Sequence, residues 1–322
     1  MMNRDKPGFI SRNSIYLPLL TVFLDLLMHW ILPDKQSGIT SPYYLILLSI
    51  LAVIYLLLLV FSYKDNPVRS KIQDKAPLVA ATFIIVGIWD LVTLKLNLLH
   101  LPYFPGPERV LTALVKDWRT LSISTLYSMR LLFTGYFIGV AVGLVTGIYI
   151  GWSQRGNYWI GPVIKIIGPI PATAWIPIAM VVFPTSFWAS VFLITLAVWF
   201  PVTVMTSSGI ANVQKSYFEV ARTLGATRKY LIFKVAIPAS APTIFVGLFM
   251  GLGAAFLTLI AAEMLGVKAG LGWYITWAQG WAEYSKVYAS LIVIALLFFG
   301  IITLLFRIKD HFLVWQKGLL KW

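Results

Sequence analysis

Cysteine is absent from the 322 residues, so neither disulfides nor thiolate metal sites can form. Charge is nearly as scarce: 12% of residues are Asp, Glu, Lys or Arg, against about 25% in an ordinary soluble domain. The only histidines, His29, His100 and His311, lie far apart in the chain, which argues against a metal cluster. No G-x-x-x-x-G-K-S/T stretch is present, so the chain cannot hold ATP in the P-loop manner. No clear repeat relates the two halves, which disfavours an internally duplicated secondary transporter. The ten-residue alternation of a membrane β-barrel is missing as well.

What remains is hydrophobic. Fully 59% of the residues are apolar and the mean hydropathy is +0.82, the composition of an integral membrane protein. Runs of about 20 apolar residues cross a bilayer as helices. Eight such runs are expected: 15–32, 43–63, 77–99, 126–150, 160–182, 187–210, 242–262 and 287–306. The fold class is therefore all-α and polytopic. The first run is basic at its start but has no A-x-A-like cleavage site after it, so it is expected to stay as a helix. The hydrophilic segment KDNPVRSKIQDK (Lys64–Lys75) divides an N-terminal extension, 1–75, with two helices, from a six-helix core, 76–322.

An even number of spans puts both termini on one side. That side receives 17 Lys and Arg and the other six, so the positive-inside rule places both ends in the cytoplasm. The net charge of +14 is thus read as loops held against anionic membrane lipid, with no nucleic-acid partner.

One of those cytoplasmic loops, EVARTLGATRKYLIFKVAIP (Glu219–Pro238), carries more than charge. Ser216-Tyr217-Phe218-Glu219 has the S-x-x-E form of a capping box, in which the serine and Glu219 would satisfy each other's amides. A short helix would run to Gly225, the residue type suited to a left-handed helix end. Thr227 would cap a second short helix through Val235, and Pro238 would begin the next span. Arg222, Ala226 and Arg228 fall between these punctuation marks.

At this point a resemblance emerges. Glu219, Ala221 and Gly225 make E-x-A-x-x-x-G, and nine residues later Val235, Ile237 and Pro238 make aliphatic-x-aliphatic-Pro. The pattern resembles the EAA loop of ABC importer permeases, with Val220 where the first alanine is usual. PIPATAWIPIAMVVF (Pro169–Phe183) and AAEMLGVKAGLGW (Ala261–Trp273) resemble the nitrate, sulfonate, taurine and bicarbonate branch of that family. The likeness covers roughly 77–322. It implies that the loop is a coupling helix docking on a separate cytoplasmic ABC ATPase dimer, which alone carries ATP and Mg; this chain would bind no cofactor and would not be an enzyme. It further implies a second permease copy or close relative, an extracytoplasmic substrate-binding protein, residence in the inner membrane, and a small anion as solute.

Several features sit beside this reading. Gly135, Gly139, Gly143, Gly147 and Gly151 recur every four residues, with a shorter series at Gly247 and Gly251. Such faces let helix backbones approach closely in lipid, either as static packing or as a seam on which helices slide. Prolines at 162, 169, 171 and 177 break one span. Freed carbonyls at that depth must be buried in protein or face a water-filled cavity. Pro171, Thr173 and Trp175 are thus candidate pathway contacts, a kinked packing helix being the alternative. Glu263 at the end of an apolar run is either an interfacial acid or part of the outward mouth of the pathway. Asp90 is expected to make an interhelical hydrogen bond, and Asp25 and His29, four apart, to pair with each other. The rival to an importer subunit is an ion-coupled secondary transporter or channel working without an ATPase. Its mid-span charges would have to come from Asp25, Asp90, Lys95, Arg130 and Lys165, among which no relay is evident. A membrane scaffold would need neither the glycine series nor the broken helix.

Overall fold

A run of apolar residues in hydrocarbon must satisfy its own amides, which leaves helices as the open-chain solution. The computed structural model describes residues 12–36, 41–62 and 66–314, and there the apolar runs are helical. The helices are α1 (Leu17–Ile31), α2 (Tyr43–Ser62), α3 (Asn66–Asp90), α4 (Pro107–Lys116), α5 (Trp118–Trp152), α6 (Gln154–Ile167) and α7 (Ile176–Val182). They continue with α8 (Ser186–Ala211), α9 (Lys215–Thr223), α10 (Arg228–Tyr230), α11 (Ile237–Gly266), α12 (Leu271–Gly280) and α13 (Tyr284–Phe312). Among the described residues seven helices are long and apolar enough to span a membrane; α6 and α7, bent by 85°, make an eighth if taken as one broken span. The chain is an all-α polytopic membrane protein. The basic residues Arg4, Lys6, Lys64, Lys317 and Lys321, part of the charge asymmetry, lie outside the described residues.

From Asn66 onward the hydrophilic segment Lys64–Lys75 is the first part of α3, which runs through Pro77 without interruption. Lys, Arg and Gln propagate a helix as well as leucine does, so hydrophilicity alone cannot end one. Contacts divide the chain into two compact units, 1–118 with 278–289, and 119–277 with 290–322.

In the first unit α1, α2 and α3 pack through Val22, Tyr44, Leu48 and Phe83. His29 of α1 is partnered across helices, contrary to the pairing expected along α1, and buried Asp25 Oδ2 has no hydrogen-bond partner among the described residues. His29 Nδ1 lies 2.9 Å from Asp90 Oδ2, while the Asp25 carboxylate rests against Gly87, where a Cβ would be 2.0 Å from its oxygen. A spacing of four puts two side chains on one face, but the shorter contact here is to the neighbouring helix. Lys95, 3% exposed, donates from Nζ to the carbonyls of His29 (2.7 Å) and Leu32 (2.9 Å). It thereby satisfies the acceptors that the end of α1 leaves open.

The second unit is built around α8, which lies between two glycine faces. Gly135, Gly139, Gly143 and Gly147 of α5 meet Ile194, Val198, Val202 and Thr206, each at a position where a Cβ would come within 2.6–2.8 Å. Gly247 and Gly251 of α11 also press on α8, at Met205 and at the same Val202 and Val198. Leu131, Leu132, Leu252, Phe256 and Leu259 fill the space around this seam. Polar stitches cross it where lipid offers no partner: Thr195 Oγ1 to the Gly135 carbonyl (3.2 Å), Trp199 Nε1 to Thr146 Oγ1 (3.1 Å) and Tyr136 Oη to the Leu248 carbonyl (3.0 Å).

Candidate functional site

The loop between α8 and α11 is a shaped projection. Helix α9 carries no buried residue, and Tyr217, Val220 and Leu224 stand out into solvent, Leu224 at 82% exposure. Its first turn differs from the capping box expected: the helix begins at Lys215 with Gln214 as N-cap, which makes no side-chain cap, and Ser216 lies within the helix. An S-x-x-E string works as a box only when the serine is the N-cap, and one residue of shift removes it.

The C-terminal end is closed firmly. The Gly225 amide donates to the Arg222 carbonyl (2.9 Å) and the Ala226 amide to the Ala221 carbonyl (3.0 Å), with Gly225 at φ +80°. These two bonds and the left-handed residue form a Schellman motif. A side chain at Gly225 would have open space but a strained backbone. Phe218 holds the projection to the end of α5, its ring 5.6 Å from that of Trp152 in an edge-to-face contact.

Beyond the elbow Thr227 caps α10, its Oγ1 accepting from the Tyr230 amide at 3.4 Å. The second arm does not end at Val235, whereas Pro238 does stand in the first turn of α11, as expected. A π turn over Leu231–Ala236 leads directly into α11, so the chain is helical from Arg228 to Gly266. A proline ring clashes with the carbonyl four residues back and cannot donate; the wider π turn ahead of Pro238 accommodates both defects. Glu219, Arg222, Arg228 and Lys229 are exposed, whereas Ala221, Ala226, Val235, Ile237 and Pro238 are partly buried. The two arms enclose an open hollow of about 640 Å³ lined by Tyr217, Ala221, Gly225, Thr227 and Tyr230.

At the other end of α11 lies a second construction that the sequence did not disclose. Glu263 is 1% exposed, and both its oxygens accept from Ser128 Oγ of α5, at 2.7 and 3.0 Å. The Gly272 amide donates to Oε2 at 2.9 Å, and the Leu271 amide to Ser128 Oγ at 2.9 Å. Gly270 takes φ +133° and passes so close that a Cβ there would lie 2.3 Å from Oε1. The carboxylate thus ties α11, α5 and the start of α12 around the turn at 267–270, spending its acceptors on the chain's own donors. Ser128 was missed because nothing local marks it; only the fold brings it to Glu263.

The broken span supplies a third feature. Pro171 caps a 3₁₀ turn over Ala172–Trp175 that joins α6 to α7. Pro171 and Thr173 line a cleft of about 390 Å³ together with Phe200, Pro201, Met250 and Thr258 from α8 and α11. Trp175 instead packs beside Ile176, Ala179 and Leu193, and its buried Nε1 has no hydrogen-bond partner among the described residues.

The chain is thus polytopic and helical, with an exposed helical elbow whose second arm is continuous with a candidate membrane span, and comparison with known proteins identifies the family. Residues 139–313 match the binding-protein-dependent transport system inner membrane component. A putative ABC transporter permease of Methanocaldococcus jannaschii is 32% identical over 261 residues, covering 79% of this chain and 97% of that protein. The nitrate import permease NrtB of Leptolyngbya laminosa is 28% identical over 259 residues, covering 76% and 88%. The bicarbonate transport system permease CmpB of Synechococcus elongatus is 32% identical over 207 residues, covering 63% and 69%. The chain belongs to the family of binding-protein-dependent transport system inner membrane components, and is an ABC transporter permease.

Proposed function

We propose that this permease is the membrane subunit of an ATP-driven importer, with the 215–238 loop as the handle gripped by a separate cytoplasmic ATPase. The observation that carries the reading is the exposed apolar edge Tyr217–Val220–Leu224 on a helix closed by a Schellman turn, beyond which the chain is helical without a break from Arg228 through α11. An exposed apolar patch on a rigid element fits a protein partner, and the exposed Arg222 and Arg228 at its rim favour an acidic surround. ATP and Mg belong to that partner. Force applied at the elbow is carried by α11 as a rod, past the glycine seam with α8, to the Glu263 turn about one membrane thickness away. Two permease copies enclose the path, a substrate-binding protein delivers solute from outside, and both termini are cytoplasmic.

The cleft at Pro171 and Thr173 is placed along the path, and Glu263 acts as a positioning residue for the turn at 267–270. Kinship with nitrate and bicarbonate permeases favours a small anion. The test is affinity purification from the native host. An ATPase should come with the wild-type chain and be lost on Glu219→Lys or Gly225→Pro, with the variants still monodisperse. Proton- or sodium-driven uptake by the purified chain alone overturns the proposal.

A further inference from the structure

Beside the Glu263 turn opens a groove of about 560 Å³, whose wall includes Tyr127, Arg130, Thr185, Ser186, Phe187 and Lys268. Its polar chemistry is one-sided: two cations and three hydroxyls, with no carboxylate in the wall among the described residues. Both cations are exposed, and Arg130 is backed by an aromatic ring. The Arg130 guanidinium lies 5.1 Å from the centroid of the Phe187 ring. Such stacking steadies the plane of the group while its donors remain at the edge. Lys268 rides on the turn that Glu263 and Ser128 secure from behind. The one acid nearby, Glu263, is buried against its own donors and kept out of the groove.

Positive charge of one sign lining a groove raises the local concentration of anions. We propose that this groove is a binding station for a small oxyanion, held by Arg130 and Lys268 with the hydroxyls of Tyr127, Thr185 and Ser186 as further donors, on its way into the membrane path. The inference rests on the reading of the protein as an importer of small anions and assigns the residues that meet the anion first. A planar guanidinium donates two parallel hydrogen bonds to an oxyanion, which a neutral solute does not reward.

The experiment uses the permease with its own ATPase and binding protein in phosphatidylcholine vesicles. ATP-driven uptake of nitrate, bicarbonate and methanesulfonate is followed, as is titration of each anion into the permease–ATPase complex without binding protein. For the transported anion, Arg130→Gln and Lys268→Gln should each weaken binding about tenfold, the loss of one charge-assisted hydrogen bond. Arg130→Lys and Lys268→Arg should recover most of it. Wild-type uptake of an anion with unaltered binding in both Gln variants overturns the groove but leaves the importer reading intact. Uptake of none of the anions overturns the anion assignment itself. Recovery of the variants by excess binding protein marks the groove as that protein's docking surface. A defect seen only when phosphatidylglycerol is added marks it as a lipid site; either result refutes the station.

Discussion

Replacing Gly139 by alanine isolates the energetics of the seam around α8. The new Cβ would lie 2.7 Å from Val198 Cβ and 2.8 Å from the Thr195 carbonyl oxygen, where 3.4 Å begins ordinary contact. The side chain could rotate, but the carbonyl belongs to the α8 backbone and cannot. Relief therefore requires α5 and α8 to separate by roughly 0.6 Å, which loosens the equally close contacts at Gly135, Gly143 and Gly147. Overpacking of this kind costs about 1–3 kcal/mol. Against it stands alanine's helix propensity, worth about 0.8–1.0 kcal/mol relative to glycine. Gly300→Ala on α13 carries the same propensity gain with nothing within 4 Å of its Cβ. The difference between the two variants thus removes propensity and leaves the contact cost of about 1–3 kcal/mol. Equilibrium unfolding in mixed micelles measures it. If the two variants agree to within about 0.5 kcal/mol, the usual scatter of neutral surface changes, the seam is not tight and the reasoning fails.

Other outcomes follow from the same geometry. Glu263→Gln puts an amide that can both donate and accept where only acceptors fit, and should cost about 1.5–3 kcal/mol. Limited proteolysis should then find new cuts near 267–271, and an unchanged pattern would count against the tie. Asp90→Ala strips His29 of its buried partner at 2.9 Å; hydrogen exchange should show lost protection in α1, at a cost of about 1–3 kcal/mol. Leu224→Asp, on a side chain 82% exposed, should leave stability within about 0.5 kcal/mol yet abolish ATPase co-purification. Lys286, 3.3 Å from Asp117 and 2.6 Å from Glu283, is partly solvated, so Lys286→Met should change stability by less than about 1 kcal/mol.

What could be read from the chain was what is local. Apolar runs fix membrane helices because hydrocarbon leaves no alternative, and Gly225 announces a left-handed turn because few other residue types take one. The misreadings share a cause: a local pattern was asked to decide a question of register or partner. S-x-x-E at Ser216 is a box or a helix interior according to a shift of one residue. Asp25 and His29 share a face, yet His29 answers to Asp90, 61 residues away. The arm capped by Thr227 reads as ending at Val235, but a π turn carries it on into α11. Glu263 was visible as an acid in an apolar run, but its meaning lies in Ser128, 135 residues distant, and in a glycine that must sit at φ +133° to let the backbone past it. The glycine series shows the same division. Its period was legible, but that α5 and α11 both turn their glycines toward α8 follows only from the fold. That convergence gives the seam its consequence. With the glycines of both α5 and α11 packed closely against α8, α11 has little room to tilt against it.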